Sequence, residues 1–205
     1  MRMIQKIICA VCAAAALVCV SCVKKVQAET KPEPRKNGIF SRITARVYDT
    51  RKQVSDADLR LILQAAFASP TADDSRSTEF IIVQDGNKIT GLKEGNPYAS
   101  QLNTAQTVIV VAINEKIIRH RDLAALDAGI AAQSIMVQAA ELGYATVPMS
   151  IAPQTVRVAN TRKVLNLPEY VTPHIMIVIG FAAPDALTSA STDYWNDSKI
   201  HKNGW

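Results

Sequence analysis

The stretch Asp122 to Leu142 limits the possible folds more than any other part of this 205-residue chain. It contains AALDAGIAAQSIMVQAAEL, in which apolar or small residues occupy nearly every side of a helix, and Gly143 follows where a helix-ending glycine is favoured. A helix that is apolar all round is buried all round. The domain must therefore wrap this segment completely or share it with another chain. The small residues Ala128, Gly129, Ala131 and Ala132 allow a second helix to approach closely, so a dimer core is the expectation.

The flanking segments set the class. Thr107 to Ile113 (TVIVVAI) and Ile175 to Phe181 (IMIVIGF) are continuous apolar runs of the kind buried on both faces of a sheet. Phe80 to Gln84 is a shorter β-rich run, and Asp85-Gly86-Asn87 after it reads as a turn. Ser55 opens a helix with Asp58 as an imperfect capping box, Leu59, Ile62, Leu63 and Ala66 form its apolar stripe, and Pro70 stops it. Strands interleaved unevenly with helices indicate an α+β or α/β sandwich.

The front of the chain has a different character. Met1 to Lys6 is positively charged and Ile7 to Val20 is apolar, too short to span a bilayer comfortably, which is the pattern of an export signal. Val26-Gln27-Ala28 suits cleavage before Glu29, giving a signal over residues 1–28. Cys19-Val20-Ser21-Cys22 is a loose lipobox that would instead leave a lipidated Cys22, and an uncleaved membrane anchor is the third reading. Residues 29–38 (ETKPEPRKNG) read as a polar tether and 39–205 as the domain. The protein is expected outside the cytoplasmic membrane, periplasmic or lipid-anchored.

Charge and cysteine usage narrow the chemistry. Four of the 23 basic residues (Arg2, Lys6, Lys24, Lys25) precede Glu29, leaving 19 against 18 acids, so the net charge of +5 is no sign of nucleic-acid binding. All four cysteines, Cys9, Cys12, Cys19 and Cys22, fall in the leader, which removes disulfides and thiolate chemistry from the domain. There is no GxGxxG, P-loop, GxSxG or HExxH, and His120, His174 and His201 are widely separated. No metal site is expected, and redox chemistry would have to come from a cofactor. In RITARVY, however, Arg42, Thr44 and Arg46 alternate; two guanidiniums and a hydroxyl on one side of a short segment suit a phosphate, and a solvated charged turn is the other reading.

Taken together, these segments resemble the nitroreductase family of flavin mononucleotide (FMN) enzymes, from about Ile39 to Trp205. Arg42-Ile43-Thr44-Ala45-Arg46-Val47-Tyr48 is similar to the family's opening R-x-S-x-R-x-Y, with Thr for Ser. Ser69 to Phe80 looks like a degraded A-P-S-x-x-N-x-Q-P-W-x-F. Asp127, Gly129, Gln133, Ala139, Ala140, Leu142 and Gly143 match the central D-x-G-x-x-x-Q pattern and its continuation, and Thr146 to Ser150 resembles the stretch beside the flavin ring. Leu165 to Pro168 and a tail ending in Lys199-Ile200-His201 and Trp205 complete the order.

The resemblance implies a three-layer α+β fold, a central, mostly antiparallel sheet flanked by helices, in an intertwined homodimer with flavin sites at the interface. It implies phosphate contacts from Arg42, Thr44 and Arg46, contacts to the other subunit's flavin from Pro70, Thr71, Ala72 and Asp74, a polar contact from Gln101, and backbone contact near the reactive nitrogen from Pro148, Met149 and Ser150. Flavin N5 carries the chemistry, so no catalytic side chain is expected. The implied activity is two-electron reduction of nitroaromatics, quinones or similar acceptors, with NAD(P)H or an unknown extracytoplasmic partner as donor. The alternative is a flavin- or ligand-binding lipoprotein with an eroded site. Three departures bear on this: Asp74 stands for an Asn and cannot donate when ionised, Arg76 stands for a Gln and could neutralise it, and Thr78 stands for a Trp. No C-terminal cation is clearly placed for the phosphate; Lys199 and Lys202 are the substitutes.

Overall fold

The computed structural model describes residues 37–184, 186, 188–190 and 194–205. The leader, both cleavage positions and residues 29–36 lie outside them. Asn37 caps a single helical turn, α1 (Gly38–Ser41), by accepting from the amides of Ile39 and Phe40 at 3.1 and 3.3 Å. Gly38, read as the end of the tether, is buried, and only glycine fits there: a Cβ would lie 2.4 Å from the Val137 carbonyl oxygen.

Strand β1 (Ile43–Ala45) follows, then helix α2 (Asp56–Phe67). The Ser55 hydroxyl accepts from the Asp58 amide at 3.1 Å and donates to the Asp58 carboxylate at 2.8 Å, the anticipated cap. Leu59, Ile62 and Ala66 are buried and Leu63 half-buried. Strand β2 (Thr78–Val83) starts two residues before the run read from sequence. Asp85-Gly86-Asn87 is no hairpin turn: Asp85 Oδ1 accepts from the amides of Asn87 and Lys88 at 2.8 and 3.2 Å and opens helix α3 (Gly86–Glu94). Asp before Gly serves turns and helix caps equally, and here the apolar pair Ile89 and Leu92 decides for the helix.

Strand β3 (Val108–Asn114) is buried over its first six residues, as its apolar run requires. After a short 3-10 turn at Arg121–Leu123 comes helix α4 (Ala124–Glu141), with Gly143 at φ 85 after its end, where a side chain would be strained. Strands β4 (Ala145–Ser150), β5 (Val171–Gly180) and β6 (Thr188–Ala190) and helix α5 (Thr155–Leu165) complete the fold.

The six strands form one sheet in the order β2-β3-β5-β4-β1-β6. All neighbours are antiparallel except β1 and β4, which run parallel with Thr44 opposite Thr146. Strand alternation sends Ile109, Val111, Ile113, Ile177 and Ile179 toward α2 and α4, and Val108, Val110, Val147, Met176 and Val178 toward α3 and α5. This is the three-layer α+β sandwich expected. Each fully buried Ile or Val contributes about 1.5–3 kcal/mol of apolar burial.

Of the two conditions stated for it, helix α4 does not meet the first, complete wrapping by its own chain. It is not buried all round within the chain: Ala124, Asp127, Ala128, Ala131, Ala132, Ile135, Met136 and Ala139 are buried, while Leu126 is 56% exposed and Gly129, Ile130 and Val137 are only half-covered. An open groove of ≈ 420 Å³ runs along that uncovered side.

Candidate functional site

Register places the strand-borne residues together. Because Thr44 lies opposite Thr146, and Thr146, Pro148 and Ser150 lie opposite Ile179, Ile177 and Ile175, all of these side chains share the α4 side of the sheet. Arg42, two residues before Thr44, donates from Nη1 to the Thr44 hydroxyl at 2.9 Å. Arg42 and Thr44 are half-buried and Arg46, beyond the end of β1, is exposed. A guanidinium has five donors, so this one bond leaves the Arg42 fork able to take an anion. Pro148 and Ser150 are exposed, whereas Met149 is buried with Val147 against the α3 and α5 layer and can reach a ligand over Pro148 only through its main chain. Ser150 is held by Arg157, whose Nη1 donates to its hydroxyl at 3.0 Å and its carbonyl at 3.1 Å.

Gln101 lies on a separate element, and among the described residues no hydrogen bond joins it to the strand group. It sits on a 3-10 turn, Ser100–Asn103, and the neighbouring Thr104 hydroxyl accepts from the Tyr48 amide at 3.0 Å, docking the turn against the segment after β1. Tyr48 is buried and donates to the Ala45 carbonyl at 2.9 Å. Burial pushes its hydroxyl well above the usual phenol range, and the nearby Arg46 pulls partly in the other direction. Beside it, Arg51 holds the Asp49 carboxylate in a fork, with bonds of 2.9 and 3.0 Å, and lowers it to about 2. The Gln101 Oε1 and Thr146 Oγ1 atoms are buried without a hydrogen-bond partner. Buried polar atoms are nearly always paired, so each of these orphans is an atom that a donor from outside the chain could satisfy.

Pro70, Thr71, Ala72 and Asp74 form a second group on the loop after α2. Ser69 Oγ donates to Ser134 Oγ on α4 at 2.8 Å, and the Ala72 amide donates to Asp127 Oδ1 at 2.9 Å. The loop backbone is unusual: Asp73, Asp74 and Arg76 all have positive φ, at 51, 49 and 51. Such non-glycine residues cost of order 1–3 kcal/mol each and persist only where their surroundings impose them. Arg76 pairs with Asp74, as the sequence suggested, and also donates to the Phe67 carbonyl at 3.1 Å. Arg119 Nη1 holds Asp73 through its carbonyl at 3.0 Å and its carboxylate at 3.1 Å. Among the described residues, no hydrogen bond or ion pair joins this loop to Arg42, Thr44, Gln101 or the β4 residues.

Lys199 and Lys202 are exposed on the C-terminal segment. His120 is exposed, 4.0 Å from the Asp73 carboxylate, and His201 stacks on Trp205. His174 is half-buried and burial lowers its pKa. The sequence placed Thr146 in the stretch beside the flavin ring and Asp127 in the central motif, without a contact for either, and did not single out Thr104. Asp127 is the one with a visible signal, as an acid on an otherwise apolar helix.

Comparison with known proteins agrees with this architecture. A profile described as the nitroreductase family matches residues 39–103 and 93–181. A protein of Archaeoglobus fulgidus named as an NADH dehydrogenase/NAD(P)H nitroreductase is 28% identical over 168 residues, covering 82% of this chain and 96% of its own length. A crystal structure of the same name from Parabacteroides distasonis superposes with a TM-score of 0.75 at 28% identity, covering 82% of this chain and 96% of the other. An FMN-dependent nitroreductase from Clostridium difficile gives 0.74 at 26%, covering 82% and 99%.

Proposed function

The chain belongs to the nitroreductase family, and we propose that it is an exported FMN-dependent oxidoreductase, a homodimer that reduces nitroaromatic, quinone or similar acceptors by two-electron chemistry. The observation that carries this reading is the Arg42 and Thr44 donor pair on the same side of the sheet as Pro148 and Ser150. The residues present fit FMN. Arg42, Thr44 and Arg46 would hold the dianionic phosphate, and the orphaned Gln101 Oε1 and Thr146 Oγ1 match the ring N–H and ribityl hydroxyls, the donors that the cofactor brings.

Bound FMN supplies the hydride and electron chemistry, and the protein's task is binding and orientation. Pro148 and Ser150 present a stiff strand edge to one side of the ligand, with Ser150 fixed by Arg157. Dimerisation explains why the loop group and the strand group do not meet in one chain. The uncovered side of α4, including Leu126, Gly129 and Ile130, supplies the apolar contact. A second copy docked there would bring its own Pro70 to Asp74 loop to the strand group.

The leader supports export, with anchoring through a lipidated Cys22 as one of its two forms. The donor is NAD(P)H or, because nicotinamide cofactors are cytoplasmic and the protein is read as exported, a membrane or protein partner outside the cytoplasm. The deciding experiment is the absorbance of the purified protein in the flavin bands, followed by anaerobic reduction and addition of a quinone or nitroaromatic. Flavin bands that bleach on reduction and return with acceptor are expected; bound flavin that cannot be cycled would instead favour the non-catalytic binder. Intact-mass measurement of the native protein tests export, and unmodified full-length chain in the cytoplasm would refute it.

A further inference from the structure

Asp127 is 1% exposed, in the first turn of the most apolar helix of the domain. Its Oδ1 accepts from the Ala72 amide at 2.9 Å, and its Oδ2 is buried without any partner. A carboxylate satisfied at only one oxygen is an expensive way to brace a loop, since a buried charge needs pairing to be tolerated. The loop it braces is the one with three left-handed, non-glycine residues, at Asp73, Asp74 and Arg76. The other ties on that loop, from Arg76 and Arg119, lie in solvent, where ion pairs are weak. The Ala72 bond is part-buried, as is the Ser69 to Ser134 bond at the start of the loop, and it ends on a buried carboxylate.

We infer that Asp127 is a positioning residue for the flavin: through the Ala72 amide it holds the Pro70 to Asp74 loop in the strained shape that meets the cofactor. This rests on the functional reading above. It assigns Asp127 a role separable from the phosphate anchor. Arg42 acts on the phosphate alone, whereas the loop acts on the part of the ligand that FMN and riboflavin share.

The test is titration of the intact protein with FMN and with riboflavin by fluorescence quenching, for wild type, Asp127→Ala and Asp127→Asn. Asn keeps an acceptor for the Ala72 amide and removes the charge. Asp127→Ala is expected to weaken both flavins by at least about ten-fold and by equal factors, and Asp127→Asn to stay within about three-fold of wild type. If Asp127→Ala fails to fold, Ala72→Pro removes the same bond from its other end. Proline is tolerated at the first residue of a helical turn, and Thr71 before it is already extended at φ -129, ψ 154. It should reproduce the equal loss. Unchanged affinities in a folded Asp127→Ala, a loss confined to FMN, or equal losses in the Ala and Asn variants would each overturn the assignment. Wild-type protein that binds neither flavin would overturn the functional reading and this inference with it.

Discussion

The two halves of the candidate site are built in opposite ways. Arg42, Thr44, Pro148 and Ser150 sit on or beside ordinary strands, and their common direction follows from the ladder between β1, β4 and β5. Pro70 to Asp74 lies on a short loop whose shape runs against backbone preference and is imposed by one buried acid and two exposed arginines. The strand half takes its geometry from the ladder at no local backbone cost. The loop half is costly and particular. Anchoring can be inherited with the sheet; selectivity has to be held in place residue by residue.

The largest expected effect comes from separating the halves. Gly129 lies on the uncovered side of α4, and a Cβ there would meet nothing within 4 Å in the single chain. Gly129→Arg should therefore leave an isolated subunit folded but put an unpaired charge into a dimer interface, at several kcal/mol. Sedimentation should show monomer, with loss of flavin. A flavin-loaded Gly129→Arg monomer would mean that one chain holds the whole site and the comparison fails.

Next comes the strand half alone. Arg42→Ala and Arg46→Ala each remove a charge-assisted bond worth roughly 1.5–3 kcal/mol, so FMN should bind about ten-fold to a hundred-fold more weakly. Riboflavin should be spared. Equal losses for both ligands would remove the two arginines from the phosphate site.

Acid should act through the strand that supports Pro148. The His174 carbonyl accepts from the Ile151 amide at 2.8 Å, and burial lowers the pKa of the His174 ring. The folded protein therefore takes up this proton less readily than the unfolded chain. The corresponding stability is present at neutral pH and declines as pH falls through the ordinary histidine range near 6.5. Thermal melts of His174→Gln between pH 7 and 5 should slope less than those of wild type. Parallel slopes would exclude His174 as the source.

The smallest effect sharpens the loop half. The Asp74 and Arg76 side chains are both largely exposed, so Asp74→Asn should change stability by under about 1 kcal/mol. It restores a donor and should tighten flavin binding a few-fold. Weaker binding would show that the ion pair itself is what the site uses.

What could be read from sequence was what local chemistry determines. The Ser55 cap, the glycine after α4 and the apolar β3 and β5 runs are written in adjacent residues, and Arg42 with Thr44 followed from simple alternation. Strands β1 and β6 are three residues each, too short to show a period, and α5 has Thr161 as its only buried residue and so no stripe to find. Helix α4 was legible only in part. Apolar spacing records that a face avoids water, and the identity of its cover is not encoded in the spacing. The left-handed Asp73, Asp74 and Arg76 lack the glycines that usually announce such backbone.

The parallel pairing of Thr44 with Thr146 also has a consequence for the order of assembly. Arg42 and Thr44 come early in the domain, yet β1 takes its place between two strands about a hundred or more residues later, and Gly38 likewise reaches Glu141 across 103 residues. Contacts of such long sequence separation form late, because loop closure opposes them until the rest of the chain has condensed. The residues proposed to hold the phosphate are therefore expected to come together late, and refolding followed with and without FMN should show the same rate.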